Sequence, residues 1–311
     1  MEVLRELGEI APPGKPAVVT VGNFDGVHRG HQALVRTVME RARARRGIGV
    51  ALTFDPHPQA FLHPDTAPAP LTSMRERTDL LAALGPDRLV ILRFDAAFAS
   101  IEAEAFVRDV LLARLGASEI YVGSNFGFGK GKKGDWKLLE RLGNELSFQT
   151  SVVDSVTDAG EMISSTRIRS LLAAGDLATA AAELSRPYQI YGEVVPGEGR
   201  GRTLGFPTAN VKGDKPCVLA HGVYAAIAEV AGSRHASAVN FGVKPTFGGT
   251  APTLEAHLLD YAGGEIAGSA IRLAFLERLR GEMRFPSPTD LVAQIGRDVA
   301  SARRACHAHE I

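Results

Sequence analysis

The feature that most limits what this chain can fold into is a change of rhythm near residue 186. Before it, strand-like apolar runs alternate one for one with helical periodicity. After it, strand-like runs follow one another between Gly- and Pro-rich turns, and no helical pattern returns until Ser287. Alternation of the first kind requires a parallel sheet with helices on both faces, because each parallel pair needs a long crossover. The second kind is met by an antiparallel sheet that closes on itself. A chain of 311 residues has room for both as separate domains.

In the first half the predicted strands are 17–22, 49–54, 88–94, 119–123 and 147–153. Between the first two, Leu34, Val35, Val38, Met39 and Ala42 share one face of a helix over 30–46. Ser73 with Glu76 makes a capping box ahead of Leu80, Leu81 and Leu84. Ser100 is expected to start a helix that ends at Leu115 with Gly116 as its stop, and Asp135 to open a short one carrying Leu138, Leu139 and Leu142. Two small helical segments broken by Gly175 lead to Arg186-Pro187, where the linker is placed at Leu184–Pro187. The resulting domains are 1–184 and 187–311. In the second half, 188–195, 222–230, 236–240, 253–259 and 269–279 read as strands. Ser287-Pro288-Thr289-Asp290 then starts a helix with Leu291, Val292, Ile295 and Val299 on its apolar face.

Charge and cysteine usage remove several function classes. Lys and Arg number 35 against 35 Asp and Glu, which leaves no electrostatic hold on a nucleic acid. What positive character there is concentrates at Lys130–Lys133, Arg167–Arg169 and Arg200–Arg202. Cys217 and Cys306 make no disulfide framework and have no ligand spacing for a metal. The acidic start MEVLRELGEI is not a signal peptide, and no apolar run is long enough to span a bilayer. A cytoplasmic protein acting on small molecules, without nucleic acid or membrane partners, is expected. A homo-oligomer is compatible with this pattern but is not specified by it.

In an open parallel sheet, ligands bind at the carboxyl ends of the strands. Four unusual clusters fall at such ends. They are Gly22-Asn23-Phe24-Asp25-Gly26-Val27-His28-Arg29-Gly30-His31, Phe54-Asp55-Pro56-His57, Gly123-Ser124-Asn125, and Ser164-Ser165-Thr166-Arg167-Ile168-Arg169. His28 and His31, three apart at a helix start, can face one spot beside free backbone N–H groups, and Gly30 lets a phosphate approach. Ser164, Ser165 and Thr166 offer donors at a second helix start, with Arg167 or Arg169 adding charge. Simple capping by the histidines, and an Asx turn at Asp25, are the plainer readings. Gly129-Lys130-Gly131-Lys132-Lys133-Gly134 is a literal GxGxxG with Asp154 at the right distance, but it begins six residues after Gly123, where a dinucleotide fold needs its tight turn.

Together GNFDGVHRGH, TFDPHP and ISSTRIR resemble the adenylyltransferase half of bacterial bifunctional riboflavin kinase/FAD synthetases. That half is similar to the nucleotidylyltransferase superfamily and implies a Rossmann-like doubly wound α/β domain. The resemblance implies ATP binding by Gly22, Asn23, Phe24, Asp25, His28, Gly30, His31, Ser164, Ser165, Thr166 and Arg169, with His28 and His31 stabilising the transition state. It implies flavin binding by Phe54, Asp55, Pro56, His57 and Asn125, the last standing where many relatives have Asp. The reaction implied is attack of an FMN phosphate oxygen on the α-phosphorus of ATP, giving FAD and pyrophosphate.

The second half has no Walker A sequence, so an ATP site there must be of another type. Glycines 197, 199, 201 and 205 permit turns that present N–H groups to anions, and Thr208 and Asn210 offer oxygen ligands for Mg²⁺. GRTLGFPTAN is similar to the riboflavin kinase signature, and GVY, NFGVKPTF and LEAHLLD follow in the family's order. The resemblance implies an antiparallel barrel with a packed terminal helix, ATP contacts from Gly201, Arg202, Gly205, Pro207, Thr208 and Asn210, and Mg²⁺ held by Thr208 and Asn210. Glu255 is implied as the base for the ribityl hydroxyl; strand alternation puts it on one face with His257, and apolar neighbours would favour a raised pKa. Phe241 and Arg284 depart from the family pattern.

The expected activity is therefore flavin cofactor synthesis from riboflavin, FMN and ATP with Mg²⁺. A riboflavin kinase with a degenerate transferase domain conflicts with the intact His28/His31 pair. A non-catalytic flavin- or nucleotide-binding regulator conflicts with the retention of Glu255, Thr208 and His31. A class I aminoacyl-tRNA synthetase is disfavoured by the missing KMSKS sequence.

Overall fold

The computed structural model describes residues 1–197, 201, 205–243 and 252–309. The chain forms two compact units, Met1–Pro68 with Met74–Ser164, and Ala69–Ser73 with Ser165–Ile311.

The first unit is built on a six-stranded parallel sheet of β1 (Glu2–Leu4), β2 (Ala17–Val21), β3 (Ile48–Asp55), β4 (Arg88–Arg93), β5 (Ala117–Gly123) and β8 (Gln149–Val153). Two-residue strands β6 (Gly127–Phe128) and β7 (Gly134–Asp135) pair as a hairpin between β5 and β8, and β9 (Thr157–Asp158) and β10 (Glu161–Met162) form another after β8. The sheet order is β1-β4-β3-β2-β5-β8. Chain order thus reverses at β2, and the crevice between β2 and β5 is the switch point where ligands enter such sheets. All five residues of β2 are buried, as befits a strand covered on both faces. Alternate residues feed two cores. Val50, Leu52, Val90 and Leu92 join Val107, Leu111 and Leu139, whereas Ala51, Leu89 and Ile91 join Val35, Met39 and Leu81. The helix Arg29–Ala44 buries the five predicted residues, Leu34, Val35, Val38, Met39 and Ala42.

Two details differ from the sequence reading. The edge strand β1 was not expected; it is three residues long, pairs with Arg88–Val90, and is fixed by Arg88 on Glu2 at 2.7 Å. Ser100 does not start a helix but ends the short helix Ala96–Ala99, which Asp95 caps. The next helix begins at Ala103 and widens to π-type turns over Phe106–Leu112, with Ala113 N–H donating to Arg108 and Leu115 N–H to Val110. The wider turn brings Leu111 and Leu115 into the core before Gly116, at φ +64°, stops the helix as predicted.

In the second unit, helices Ser165–Ala174 and Leu177–Leu184 are separated by Gly175, whose φ of +87° and close approach to the Arg278 side chain exclude a Cβ. Leu177–Leu184 packs on two strands of a closed antiparallel barrel, β11 (Tyr188–Val195) and β16 (Ala270–Arg280). The others are β12 (Ala209–Gly213), β13 (Gly222–Val230), β14 (Ser233–Val243) and β15 (Pro252–Leu258), in barrel order β11-β12-β15-β14-β13-β16. β12 escaped the sequence reading because its first two residues close the glycine-rich signature and only three more follow before Asp214. Tyr224, Val239, Phe275, Ile190 and Ala256 are buried among the inward positions. The last helix, Pro288–His307, starts as predicted, with Ser287 accepting from Asp290 N–H. Its buried positions are Asp298, Ala302 and Cys306, however, and Leu291, Val292 and Ile295 are only half-buried. Small residues allow close approach to Ala225 and Ala238, and Asp298 takes a bidentate grip from Arg280, with the nearest contact at 2.7 Å.

Candidate active sites

In the first unit, the segment after β2 turns sharply before the helix. Phe24, Gly26 and Val27 take φ values of +48°, +83° and +42°, a region that costs a β-branched residue such as Val27 about 1–3 kcal/mol. The surroundings hold it there. Val27 N–H donates to Phe24 O, Gln32 Nε2 to Val27 O, and Thr53 Oγ1 to Asn23 O at 3.2 Å. Phe24 is fully buried, its ring 3.1 Å from where a Cβ on Gly22 would lie and edge-on to His31.

His28 is the N-cap of the helix: its Nδ1 accepts from His31 N–H at 3.4 Å, so a neutral His28 carries its proton on Nε2. The two imidazoles stack with centroids 3.6 Å apart. A Cβ on Gly30 would come within 3.2 Å of the His28 ring. Burial, reinforced by His28 and Arg77, pushes the His31 pKa well below its ordinary value. His31 is therefore held neutral beside the His28 ring at a helix N-terminus, where imidazole and backbone N–H donors suit a polyphosphate and a pentacoordinate transition state.

Asp25 is 2% exposed and accepts from Arg77 Nη2 at 3.3 Å. Arg77, on the helix Met74–Ala83, is itself buried and was not anticipated; the two arginines of RERTDLL carry no motif. Phe54, at the end of β3, meets Phe94 and Phe98, and Phe61 meets Phe94, with ring centroids between 5.5 and 5.8 Å. These added aromatics extend the apolar surface around Phe54, the residue for which the resemblance implies flavin contact. Asp55 and Pro56 are exposed beyond it, and His57 caps the helix Pro58–Leu62 by accepting from Gln59 N–H. Asn125 lies exposed in the turn after β5, its Oδ1 3.5 Å from where a Cβ on Gly123 would lie.

The GxGxxG string is the β6–β7 hairpin with its turn, not a strand-to-helix turn. The helix that follows has its N-terminus occupied by Asp135, which accepts from Leu138 N–H at 2.9 Å. Lys130 faces Glu102 at 3.4 Å. Ser164 closes the first unit, and Ser165, Thr166 and Arg169 belong to the helix that opens the second. There Arg167 Nε binds the fully buried Glu183 at 2.6 Å, while Arg169 Nε binds Ala69 O at 2.7 Å. Within the two basic clusters, Lys130 and Arg167 thus each face a carboxylate of the fold.

In the barrel, register brings the kinase residues together. Asn210 on β12, Glu255 on β15 and Asn240 on β14 are direct cross-strand partners in one row on the outer face. Glu255 therefore has amide neighbours across the strands, not the apolar ones expected. His257, two residues on, holds Pro207 O through Nδ1 at 2.8 Å and meets Phe206 edge-on, which fastens the PTAN segment to β15. Alternation put His257 beside Glu255, but nothing in the sequence gave it this anchoring contact. Gly201 fits against Phe206 O, and its missing Cβ would lie 3.1 Å from Thr208 Oγ1; Gly205 turns at φ +84°. Arg202 lies outside the described residues, as do Glu198–Arg200 and the Lys244–Phe247 part of NFGVKPTF. Phe241 is buried in the barrel with His221 against its ring, so this departure from the family pattern is a core residue.

The Thr208 hydroxyl, the Asn210 amide carbonyl and the Glu255 carboxylate are all hard oxygens of the kind Mg²⁺ takes. Among the described residues no cluster of His, Cys, Asp and Glu could hold a metal by itself. No described helix is long and apolar enough to cross a membrane.

The sequence model of FAD synthetase matches residues 11–167, and that of riboflavin kinase residues 184–306. The bifunctional riboflavin kinase/FMN adenylyltransferase of Escherichia coli K12 is 39% identical over 97% of both chains. That of Pseudomonas fluorescens is 37% identical, again over 97% of both. A crystal structure described as a macrolide-efflux protein from Streptococcus pneumoniae superposes with a TM-score of 0.87 at 31% identity, covering 97% of this chain and 99% of the other.

Proposed function

The chain belongs to the bifunctional riboflavin kinase/FMN adenylyltransferase family, which converts riboflavin to FMN and FMN to FAD with ATP, and on that premise we propose which residues carry each step. The match of both family models favours this bifunctional reading over a kinase with a degenerate partner domain and over a non-catalytic regulator. The functional division is placed at Leu184–Pro187.

For adenylyl transfer, the stacked His28/His31 pair at the helix start is the observation that carries the proposal. An FMN phosphate oxygen bonds to the α-phosphorus as the bond to the bridging oxygen breaks, and pyrophosphate leaves with that electron pair. Neutral imidazole N–H groups and helix N–H groups stabilise the charge that accumulates on the phosphoryl oxygens. Gly22, Asn23, Phe24, Asp25 and Gly30 shape this cradle, and the family resemblance assigns ATP contacts to Ser164, Ser165, Thr166 and Arg169 as well. Arg169 is preferred to Arg167 because the latter faces a buried carboxylate. Phe54 with its aromatic neighbours, Asp55, Pro56, His57 and Asn125 receive the flavin.

For phosphorylation, Glu255 takes the proton of the ribityl 5′-hydroxyl as that oxygen attacks the γ-phosphorus of ATP and ADP departs. Thr208 and Asn210 would hold Mg²⁺, which neutralises phosphate charge; Gly201, Arg202, Gly205 and Pro207 complete the nucleotide loop. A cytoplasmic setting accords with the ATP requirement and two free cysteines.

Product analysis by chromatography tests the assignment. With riboflavin and Mg-ATP, the parent chain should yield FMN and then FAD. Glu255→Ala should make no FMN yet still convert supplied FMN to FAD, and His31→Ala should do the reverse. Loss of both activities in either variant would refute separate sites.

A further inference from the structure

Arg77 has no place in either reaction as described, yet it lies directly behind the adenylyl-transfer loop and pairs there with Asp25, a residue of the loop itself. Both side chains are essentially inaccessible, 3% and 2% exposed, so the guanidinium supports the loop from within the fold. Two ions in such a setting attract strongly but have also lost their water, and cost more than a well-packed apolar pair unless they hold something specific. What they hold can be read from the backbone. Asp25 is the second residue of the 24–27 segment, three of whose four residues are left-handed, two of them without the licence of glycine. His28 follows at once, and its ring position fixes the stack with His31. The guanidinium lies close enough to feel the charge of Asp55 as well, so one buried cation stands between the nucleotide loop and the end of β3.

We propose that Arg77 is a positioning residue of adenylyl transfer: through Asp25 it clamps the left-handed segment on which His28 and His31 are mounted, without touching the nucleotide. The proposal rests on the assignment of His28 and His31 to that reaction. Misplacement of reacting groups by about 1 Å costs on the order of 100-fold. Arg77→Met keeps the length and apolar stem of the side chain while removing the clamp. It should lower kcat for FMN adenylylation about 100-fold, with KM for ATP and FMN within about threefold, because the groups that contact substrate remain. Arg77→Lys, which restores a buried cation, should recover most of the loss. Riboflavin phosphorylation by the same chain should be unchanged and serves as the folding control.

Asp25→Asn provides the second route, since it cuts the same link from the other side. Should Arg77→Met fail to fold, a fall in kcat with unchanged KM in Asp25→Asn sustains the proposal. The proposal is overturned if either variant folds and keeps kcat within about threefold of the parent, or if both activities fall together in a folded chain. His31→Ala, run in parallel, separates the two levels. If it retains adenylylation, the site assignment itself has failed; if it loses adenylylation while Arg77→Met and Asp25→Asn do not, only the clamp has.

Discussion

On the assignments proposed above, the two halves would hold a nucleotide phosphate chain by opposite means. In the first unit the groups proposed to meet phosphate are mounted on a buried loop whose left-handed residues are fixed by hydrogen bonds, an ion pair and a sealed phenylalanine. In the barrel the corresponding groups stand on the outer face of regular strands, aligned by the ladder that pairs Asn210 with Glu255 and Glu255 with Asn240. The first arrangement gets precision from packing, the second from register. A loop of the first kind should be sensitive to any neighbour that moves, whereas a strand row should tolerate much and fail only where its own members are displaced.

The sharpest way to break that comparison is at Gly197. A Cβ there would lie 1.8 Å from Asn210 Nδ2, so Gly197→Ala must push the amide out of its place while leaving the β11–β12 ladder intact. The expected result is a fall of about 100-fold in riboflavin phosphorylation, on the scale of an ångström-sized misplacement, and a higher Mg²⁺ requirement. Asn210→Ala should match it, and adenylylation should be unaffected in both. Measuring phosphorylation against total Mg²⁺ would decide it; an unchanged curve in both variants would remove Asn210 from the metal site.

A smaller effect is expected at Gly30. Its Cβ would sit 3.2 Å from the His28 ring, close enough that the ring must give by a few tenths of an ångström. Gly30→Ala should lower adenylylation by about 10-fold, since the helix gains a better former as the stack is disturbed. The melting temperature should hold or rise. An accompanying loss of stability would mean that Gly30 serves the fold and not the approach of phosphate.

The same contrast explains what the sequence could tell. Most strands and helices with long apolar periodicity were legible to within a residue or two, β14 being longer by three residues at each end, because β2 and β13 bury nearly every position and boundaries are set by Gly, Pro and polar runs. The motif residues were legible because phosphate chemistry demands unusual clusters. What escaped is whatever depends on meeting across the fold. Arg77 lies 52 positions from Asp25, and His257 is 50 from the Pro207 carbonyl that it holds. Neither has a local signature. The aromatic group at Phe94 and Phe98 was hidden in the same way, and β12 was masked by the glycines beside it. Nor could the sequence choose between Arg167 and Arg169, since Glu183, which binds Arg167, sits sixteen residues away on the next helix.

The packing-based architecture of the first unit also makes a prediction about acid. Glu119 on β5 is buried, and Arg41 and Arg45 from the end of the helix Arg29–Ala44 donate to it at 2.7 and 2.5 Å, with Tyr121 adding a third bond. Burial alone would raise the carboxyl's pKa, but the arginine hydrogen bonds outweigh it and hold the group below its ordinary 4.5. A carboxyl depressed in the folded state contributes stability above its unfolded pKa and loses that contribution as pH falls through the folded value. Glu119→Gln should therefore destabilise the first unit by about 2 kcal/mol at pH 7, the scale of a hydrogen bond to a charged group, and the difference from the parent should vanish in acid once Glu119 itself is protonated. The ends of the helix and of β5 are tied here, at the edge of the sheet opposite the phosphate loop. Adenylylation should thus lose temperature range before it loses kcat at 25 °C, and riboflavin phosphorylation should lose neither. Melting curves of parent and variant, followed by both activities from pH 3 to pH 8, read this directly; a gap that persists at the acid end would show that Glu119 acts by shape and not by charge.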